Sequence, residues 1–287
     1  MPDNIAVSEA SQPGSKALSK DLKWRIISGT TLAIVALGLT YAGPIPFAVL
    51  VLAVALAISW EWGRVVRRES FDLAFFIHAA AATAAIVLAA TGYAAIGLAV
   101  LATAAIILVP LVVGRGARLS ALGVFYVGLP AVSLLWLRGD APYGFLAVLL
   151  IFAVVWTSDT AAYAAGRLIG GPKLLPMISP KKTWAGLLAA VMACAAVAAA
   201  FAPLISGASP LRLALTGFGL SLVAQAGDLA ESALKRFFGL KDASNLIPGH
   251  GGFMDRMDSI VAVAVAAALL AFAVDPRAPA LALLSGV

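Results

Sequence analysis

Residues 93–113 read YAAIGLAVLATAAIILVPLVV, a stretch of 21 residues without a charged side chain. A helix of this length crosses a hydrocarbon core about 30 Å thick, because each residue adds about 1.5 Å. Of the 287 residues in the chain, 62% are hydrophobic and 12% are charged, whereas a soluble domain carries about 25% charged residues. Both observations indicate an integral membrane protein.

Similar apolar stretches recur along the chain and predict about nine transmembrane helices. Alanine is abundant and strand-like alternation is absent, so the pattern favours an all-α, polytopic helical bundle. The predicted spans are residues 24–42, 44–60, 72–91, 93–113, 119–137, 142–165, 184–204, 210–230 and 259–275. We predict a single membrane-embedded domain over residues 21–287, preceded by a polar, disordered cytoplasmic tail over residues 1–20.

The basic residues predict the orientation of the bundle. If the spans alternate in direction, all but three of the 20 Lys and Arg residues fall on the same side as the N-terminus; the exceptions are Arg138, Arg212 and Arg277. The positive-inside rule then predicts a cytoplasmic N-terminus. The net charge of +6 follows from this bias and does not indicate nucleic-acid binding. The lack of a transit-like Arg- and Ser-rich start favours a bacterial inner membrane.

The densest polar segment is residues 232–258, SALKRFFGLKDASNLIPGHGGFMDRMD. It brings carboxylates suited to a divalent cation, cations suited to phosphate, and a glycine-rich turn to one place on the predicted cytoplasmic side. Just before it, Asp228 and Glu231 share a helical face, and Asp255 and Asp258 share a face where the ninth span begins. Two helices that flank one loop can bring Asp228 and Asp255 together to bind Mg²⁺ with nucleotide phosphates.

Two further polar segments interrupt the apolar background. Asp159 lies at the end of the sixth span, where it is either functional or paired with Arg167 or a lysine of the next loop. Lys181, Lys182 and Thr183 fall at the start of the seventh span, where helix amides and lysines form an anion site. The alternative is that these lysines only contribute to the positive-inside bias.

The two histidines differ in setting. His78 stands alone in the third span, so we interpret it as a packed or interhelical polar residue. His250 lies in the glycine-rich loop, where it can contact phosphate or carry a proton, and the residues do not choose between these roles. The chain has no G-x-x-x-x-G-K-[ST], H-E-x-x-H or G-x-S-x-G motif.

The segment closely resembles the signature of the phosphatidate cytidylyltransferase family, also called CDP-diacylglycerol synthases. That signature reads Ser-x-hydrophobic-Lys-Arg, four residues, Lys-Asp, and then Pro-x-His-Gly-Gly-hydrophobic-x-Asp-Arg-hydrophobic-Asp. The chain carries it from Ser232 to Asp258 without a departure. Residues 158–160 and 179–184 are also similar to family motifs. Ala185 departs from the pattern, since many relatives have Glu or Gln there.

The resemblance implies transfer of a cytidylyl group from CTP to phosphatidate, with Mg²⁺ and, in similar proteins, a second metal ion. It also implies a homodimer, and a catalytic domain with its signature at residues 228–258. The implied catalytic residues are Lys241, Asp242, His250, Asp255, Arg256 and Asp258. The implied nucleotide- or lipid-phosphate-binding residues are Lys181, Lys182, Thr183, Ser232, Lys235, Arg236, Gly251 and Gly252. The implied metal site comprises Asp228 and Asp255 as ligands, with Asp258 and Asp159 as supporting acids.

Two other functions stay open from the sequence. A cytidylyltransferase for another lipid phosphate would use the same head-group chemistry and differ only in the groove for the tail. An ion-coupled transporter would use Asp159, Asp228 and Glu231 as coupling acids. The transporter is disfavoured because these acids lie at the predicted cytoplasmic ends of spans and not at mid-depth.

Overall fold

The computed structural model describes residues 15–112, 116–247 and 251–285. This part of the chain forms ten α-helices, one short 3-10 helix at Ala202–Leu204 and one two-stranded antiparallel sheet. The helices and strands are α1 Ser15–Ala42, α2 Pro44–Val66, α3 Leu73–Ala90, α4 Ala94–Leu111, α5 Gly116–Gly139, α6 Gly144–Leu168, β1 Lys173–Leu175, β2 Ser179–Thr183, α7 Trp184–Ala199, α8 Pro210–Phe237, α9 Met254–Val274 and α10 Pro279–Ser285.

The helical bundle confirms the predicted fold class. Within the described residues, eight helices are long and apolar enough to cross a membrane, namely α2 to α9 with α7 continuing to Leu204. The apolar part of α1, Ile27–Ala42, is shorter. Helices α2 to α5 pack on one another, α6 to α9 form a second group, and contacts between α5 and α9 join the groups. Because so many buried residues are alanine, the helices approach closely without large side chains between them.

Short polar residues fix where several helices begin. Asp72, Thr183 and Ser209 each accept a hydrogen bond from a backbone amide three residues later, at 2.9, 3.1 and 3.4 Å. These side-chain oxygens satisfy amides that have no partner within the first helical turn. Thr183 therefore ends β2 and caps α7.

The structure corrects three details of the sequence analysis. Residues 15–20, predicted as disordered tail, belong to α1, and their sequence contains good helix formers and no Gly or Pro; residues 1–14 lie outside the described residues. Residues 173–183 form a hairpin, so Lys181 and Lys182 precede α7 instead of starting it. The short helix α10 was not predicted because seven residues are too few for a clear helical period.

The structure confirms the interpretation of His78 as an interhelical polar residue. It is 2% exposed, and its Nε2 lies 2.8 Å from the backbone oxygen of Ser120 in α5. Nearby, Trp62 of α2 donates from Nε1 to the backbone oxygen of Leu119 at 2.9 Å. These contacts fix α2, α3 and α5 to one another beside the polar end of the bundle.

Candidate active site

A cavity of about 700 Å³ lies between α1, α2, α5, α6, α8 and α9, with β2 at its polar end. Most of the predicted site residues line it. They are Asp159, Lys181, Lys182, Thr183, Asp228, Lys235, Asp242, Asp255, Arg256 and Asp258. These residues come from α6, β2, α8, the α8–α9 loop and α9. The fold therefore brings together segments that are up to about 100 residues apart in the sequence.

Asp255 is the most highly connected carboxylate of the cavity. Its Oδ1 accepts from Lys235 Nζ at 2.5 Å. Its Oδ2 accepts from the backbone amides of Ala243 and Gly252 at 3.0 and 2.9 Å. Lys235 also pairs with Glu231 at 2.7 Å. Asp255 therefore joins the first turn of α9 to the last turns of α8 and to both sides of the intervening loop.

Asp228 connects α8 to the hairpin. Its Oδ2 lies 2.7 Å from Lys182 Nζ, and its Oδ1 accepts from Ser232 Oγ at 3.3 Å. Lys182 also donates to the backbone oxygen of Gln225 at 3.4 Å. The hairpin thus places one cation directly over the acidic face of α8, and Lys181 lies exposed at the same edge of the cavity.

Close approach of α8 and α9 brings the acids together. A Cβ at Gly227 would lie 2.9 Å from the backbone oxygen of Asp258 and 2.7 Å from Ala262 Cβ, so the absence of a side chain there permits this spacing. Asp258 consequently interacts electrostatically with Asp228, Glu231 and Asp159. Repulsion among these carboxylates favours a cation between them.

The donor set suits a hard cation that is shared with a ligand. Carboxylate oxygens are the ligands that Mg²⁺ prefers, and Mg²⁺ is usually held by one or two of them together with substrate phosphates. Among the described residues, no three Asp, Glu, His or Cys side chains converge closely enough to enclose a metal ion by themselves. Glu231 Oε2 lies 2.7 Å from Lys235 Nζ, whereas its buried Oε1 has no hydrogen-bond partner among the described residues. The carboxylates therefore fit a metal ion whose remaining ligands are phosphate oxygens.

Several predicted site residues lie outside the cavity lining. Ser232 donates from Oγ to Asp228 Oδ1. Arg236 is exposed, and its Nη1 donates to the backbone oxygen of Leu240 at 3.2 Å. Lys241 is exposed as well. His250, with Pro248 and Gly249, lies outside the described residues.

The two described glycines of the loop approach protein carboxylates. Gly251 has φ +84°, and a Cβ on it would lie 2.9 Å from Asp255 Oδ2. A Cβ on Gly252 would meet Glu61 of α2. These contacts give a structural reason for both glycines, separate from the predicted approach to nucleotide phosphates.

Two residues of the second and third motifs have specific settings. Asp159 lines the cavity and interacts electrostatically with Asp228, Lys182 and Arg256. Arg167, its alternative partner, donates instead to the hydroxyl of Tyr163 at 2.8 Å. Thr183 is 3% exposed, and its oxygen caps α7. Asp159 is therefore available to a ligand in the cavity, while Thr183 orders the turn beside it.

Three polar residues near the signature were not among the predicted site residues. Glu231 and Gln225 line the cavity on the same helix as Asp228. Glu61 is completely buried near the end of α2. It accepts a hydrogen bond from the backbone amide of Phe253 in the signature loop, the segment 238–253 between α8 and α9. In the sequence, Glu61 is noticeable only as an acid next to the end of the predicted span 44–60. Nothing in the sequence indicates that it contacts a loop about 190 residues away.

Comparison with known proteins gives a consistent family. Residues 23–274 match the model described as "Cytidylyltransferase family". A protein of Brucella suis named phosphatidate cytidylyltransferase is 39% identical over 247 residues, which cover 85% of this chain and 91% of the relative. A Bacillus subtilis protein of the same name is 30% identical over 255 residues, or 85% and 95% of the two chains.

Proposed function

The chain belongs to the cytidylyltransferase family, and we propose that it transfers the cytidylyl group of CTP to phosphatidate, giving CDP-diacylglycerol and pyrophosphate. It is an integral membrane nucleotidyltransferase. The observation that carries the assignment of substrates is a single cavity with one polar and one apolar end. The first suits phosphates and the second suits a lipid tail.

The apolar end of the cavity has the depth of a lipid leaflet. Its wall includes Phe47, Val51 and Ile58 of α2 and Leu134 of α5. From Ile58 to Phe47 the wall follows α2 for about 16 Å, at about 1.5 Å per residue. Half of a hydrocarbon core is about 15 Å. A lipid whose phosphate lies among the lysines would therefore extend its tail along this wall.

The reaction needs two polyanions to meet. An oxygen of the lipid phosphate attacks the α-phosphorus of CTP, and the bond from that phosphorus to the oxygen of the leaving pyrophosphate breaks. The lipid oxygen is already anionic, so no strong general base is required. Lys181 and Lys182 would stabilise the charge of the phosphates from the hairpin side, and Arg256 from α9. Lys235 is held by Glu231 and Asp255, which fixes one more cation at the base of the site.

We include Mg²⁺ in the proposal. Asp228 and Asp258 would hold it at the wall of the cavity, with Asp159 as a supporting acid. Asp255 stays a predicted ligand, although its oxygens accept hydrogen bonds from Lys235 and two backbone amides. Bound Mg²⁺ would neutralise charge on the transferring phosphoryl group and on the leaving pyrophosphate.

We propose that the polar end of the cavity faces the cytoplasm of a bacterial cell, across the inner membrane, since the basic residues are concentrated at that end. We also propose a homodimer and no role in nucleic-acid binding. These rest on the charge pattern and on the resemblance to the family.

The activity is tested by pyrophosphate release from the purified protein in detergent with Mg²⁺ and phosphatidate. We expect release that depends on the lipid and is selective for CTP over ATP, GTP and UTP, with a cytidine-containing lipid product. Release with a different lipid phosphate but not with phosphatidate would select the alternative substrate. No release with any nucleotide or lipid phosphate, from folded and metal-loaded protein, would contradict the enzyme assignment.

The tail groove is tested by narrowing it. Ala33→Phe adds a ring to the α1 wall of the cavity, whereas Ile34→Phe changes the neighbouring residue, which is 65% exposed and outside the lining. We expect Ala33→Phe to raise KM for long-chain phosphatidate roughly 10-fold, as expected for lost apolar contacts in a pocket. KM for CTP and for a short-chain phosphatidate should change little. An equal effect of both variants, or on both lipids, would place the tail elsewhere.

A further inference from the structure

Glu61 is a completely buried carboxylate of α2 that bonds the signature loop at three points. Its Oε1 accepts from Ser244 Oγ at 2.5 Å and from the backbone amide of Phe253 at 2.9 Å. Its Oε2 accepts from the backbone amide of Met254 at 2.6 Å. Glu61 is 0% exposed and does not line the cavity. It therefore does not contact a substrate that lies in the cavity.

These bonds supply a cap that α9 lacks in its own sequence. The helix begins at Met254, and the preceding residue, Phe253, makes no side-chain capping bond. The first amides of a helix have no partner within the helix, and a carboxylate there is stabilised by the positive end of the helix dipole. Glu61 satisfies two of these amides from another helix. Removing the carboxylate leaves buried donors without an acceptor.

Glu61 can fix the position of the signature loop because the end of α2, where Glu61 lies, is itself anchored to α5. The next residue, Trp62, donates to the backbone oxygen of Leu119 and packs on Tyr126, with ring centroids 4.9 Å apart. Arg67, the residue that follows the end of α2, pairs with Asp72 at 2.6 Å. The end of α2 is thus a fixed support against which the loop is held.

Gly252 shows how tightly the loop lies on this support. A Cβ at Gly252 would be 2.8 Å from Glu61 Cδ and 2.9 Å from Oε2. Unlike Gly251, Gly252 does not have a positive φ. An alanine at residue 252 would therefore force the buried Glu61 carboxylate to shift, while its own backbone conformation would not oppose the change.

We propose that Glu61 is a positioning residue: by holding Ser244 and the first amides of α9, it sets the place of Asp255 and, through Asp255, of Lys235. The Gly252 amide donates to Asp255 at 2.9 Å, so the loop that Glu61 supports also orients this carboxylate. The inference rests on the proposed function in that its kinetic test uses the cytidylyl transfer. A displacement of about 1 Å in a catalytic group can cost about 100-fold in rate.

The test is a double-mutant cycle at residues 61 and 252, in which a shorter side chain at residue 61 makes room for a methyl group at residue 252. We expect Gly252→Ala to lower kcat about 100-fold and Glu61→Asp about 10-fold, with KM for CTP and phosphatidate changed less than about threefold. Because Glu61→Asp shortens the side chain, the double variant should have a higher kcat than Gly252→Ala alone. Strictly multiplicative losses, or a wild-type kcat for Glu61→Gln, would overturn the proposal.

A second measurement needs no turnover and separates this proposal from the assigned activity. Hydrogen exchange at the amides of Phe253 and Met254 should be faster in Glu61→Gln than in wild type. The matched control is Glu69→Gln, the same change at an exposed acid eight residues further along, which should leave exchange and kcat as they are. Unchanged exchange in Glu61→Gln would contradict the capping role, whereas an inactive wild type with protected amides would contradict only the activity.

Discussion

Asp255→Asn is expected to lower lipid-dependent pyrophosphate release by about 100-fold or more, while the protein still inserts and folds. The carboxylate accepts from Lys235 on one oxygen and from the amides of Ala243 and Gly252 on the other. A carboxamide has a single acceptor oxygen, so its NH₂ group would face a donor on one of these two sides. The negative charge opposite Lys235 is lost as well. The measurement is CTP-dependent pyrophosphate release in detergent.

The control for this prediction is the same substitution at the opposite end of the same helix. Asp275 follows the last residue of α9, is exposed, and accepts a local hydrogen bond from the amide of Arg277 at 2.9 Å. Asp275→Asn should keep close to wild-type turnover. If Asp255→Asn retained wild-type activity as well, Asp255 would have neither a metal-binding nor an orienting role.

Lys235→Met is expected to lower both stability and turnover. Lys235 pairs with Glu231 at 2.7 Å and with Asp255 at 2.5 Å, and the two acid side chains are only 1% and 6% exposed. Methionine would leave two buried carboxylates facing each other without a cation. Breaking a buried ion pair by removing one partner costs about 3–5 kcal/mol. The measurements are thermal unfolding in detergent and pyrophosphate release.

A double variant separates the structural from the chemical role of Lys235. Lys235→Met with Glu231→Gln removes one of the stranded charges, so stability should recover in part while turnover stays low. Arg236→Met is the matched control, because this neighbouring cation is exposed and outside the cavity lining; it should unfold at the wild-type temperature. Equal destabilisation by Arg236→Met and Lys235→Met would contradict the buried-pair argument.

The membrane spans could be predicted because the signal for a span is local. A stretch such as residues 93–113 must be helical in lipid, where every backbone amide needs a partner within the segment. A helix can continue beyond its apolar span. The eighth predicted span ends at residue 230, and α8 continues to Phe237 through polar turns that contain Ser232, Lys235 and Arg236, as expected for a helix that projects past the hydrocarbon. The hairpin at residues 173–183 escaped prediction for a different reason. Strands of three and five residues leave no alternation to detect.

The acidic half of the site was predictable and the supporting contacts were not. Spacing along a helix places Asp228 and Glu231 on one face, and Asp255 and Asp258 on another, whatever the rest of the fold does. Which cation reaches which acid depends on how segments pack. The structure pairs Lys182 with Asp228 and Lys235 with Asp255, whereas Arg236, equally basic and one residue from Lys235, points outside the cavity lining.

Local signals are sufficient to identify this chain as a bundle of membrane-spanning helices with one cluster of acidic and basic residues suited to phosphates and a divalent cation, because hydrophobic length and residue chemistry act locally. Helix packing is needed to show that the cluster shares a cavity with an apolar groove and that Glu61 accepts hydrogen bonds from the loop before α9. Those features join residues far apart in the chain, and they depend on helix packing distances such as the close approach at Gly227. A single sequence contains the side chains that make such contacts, but not the distances between them.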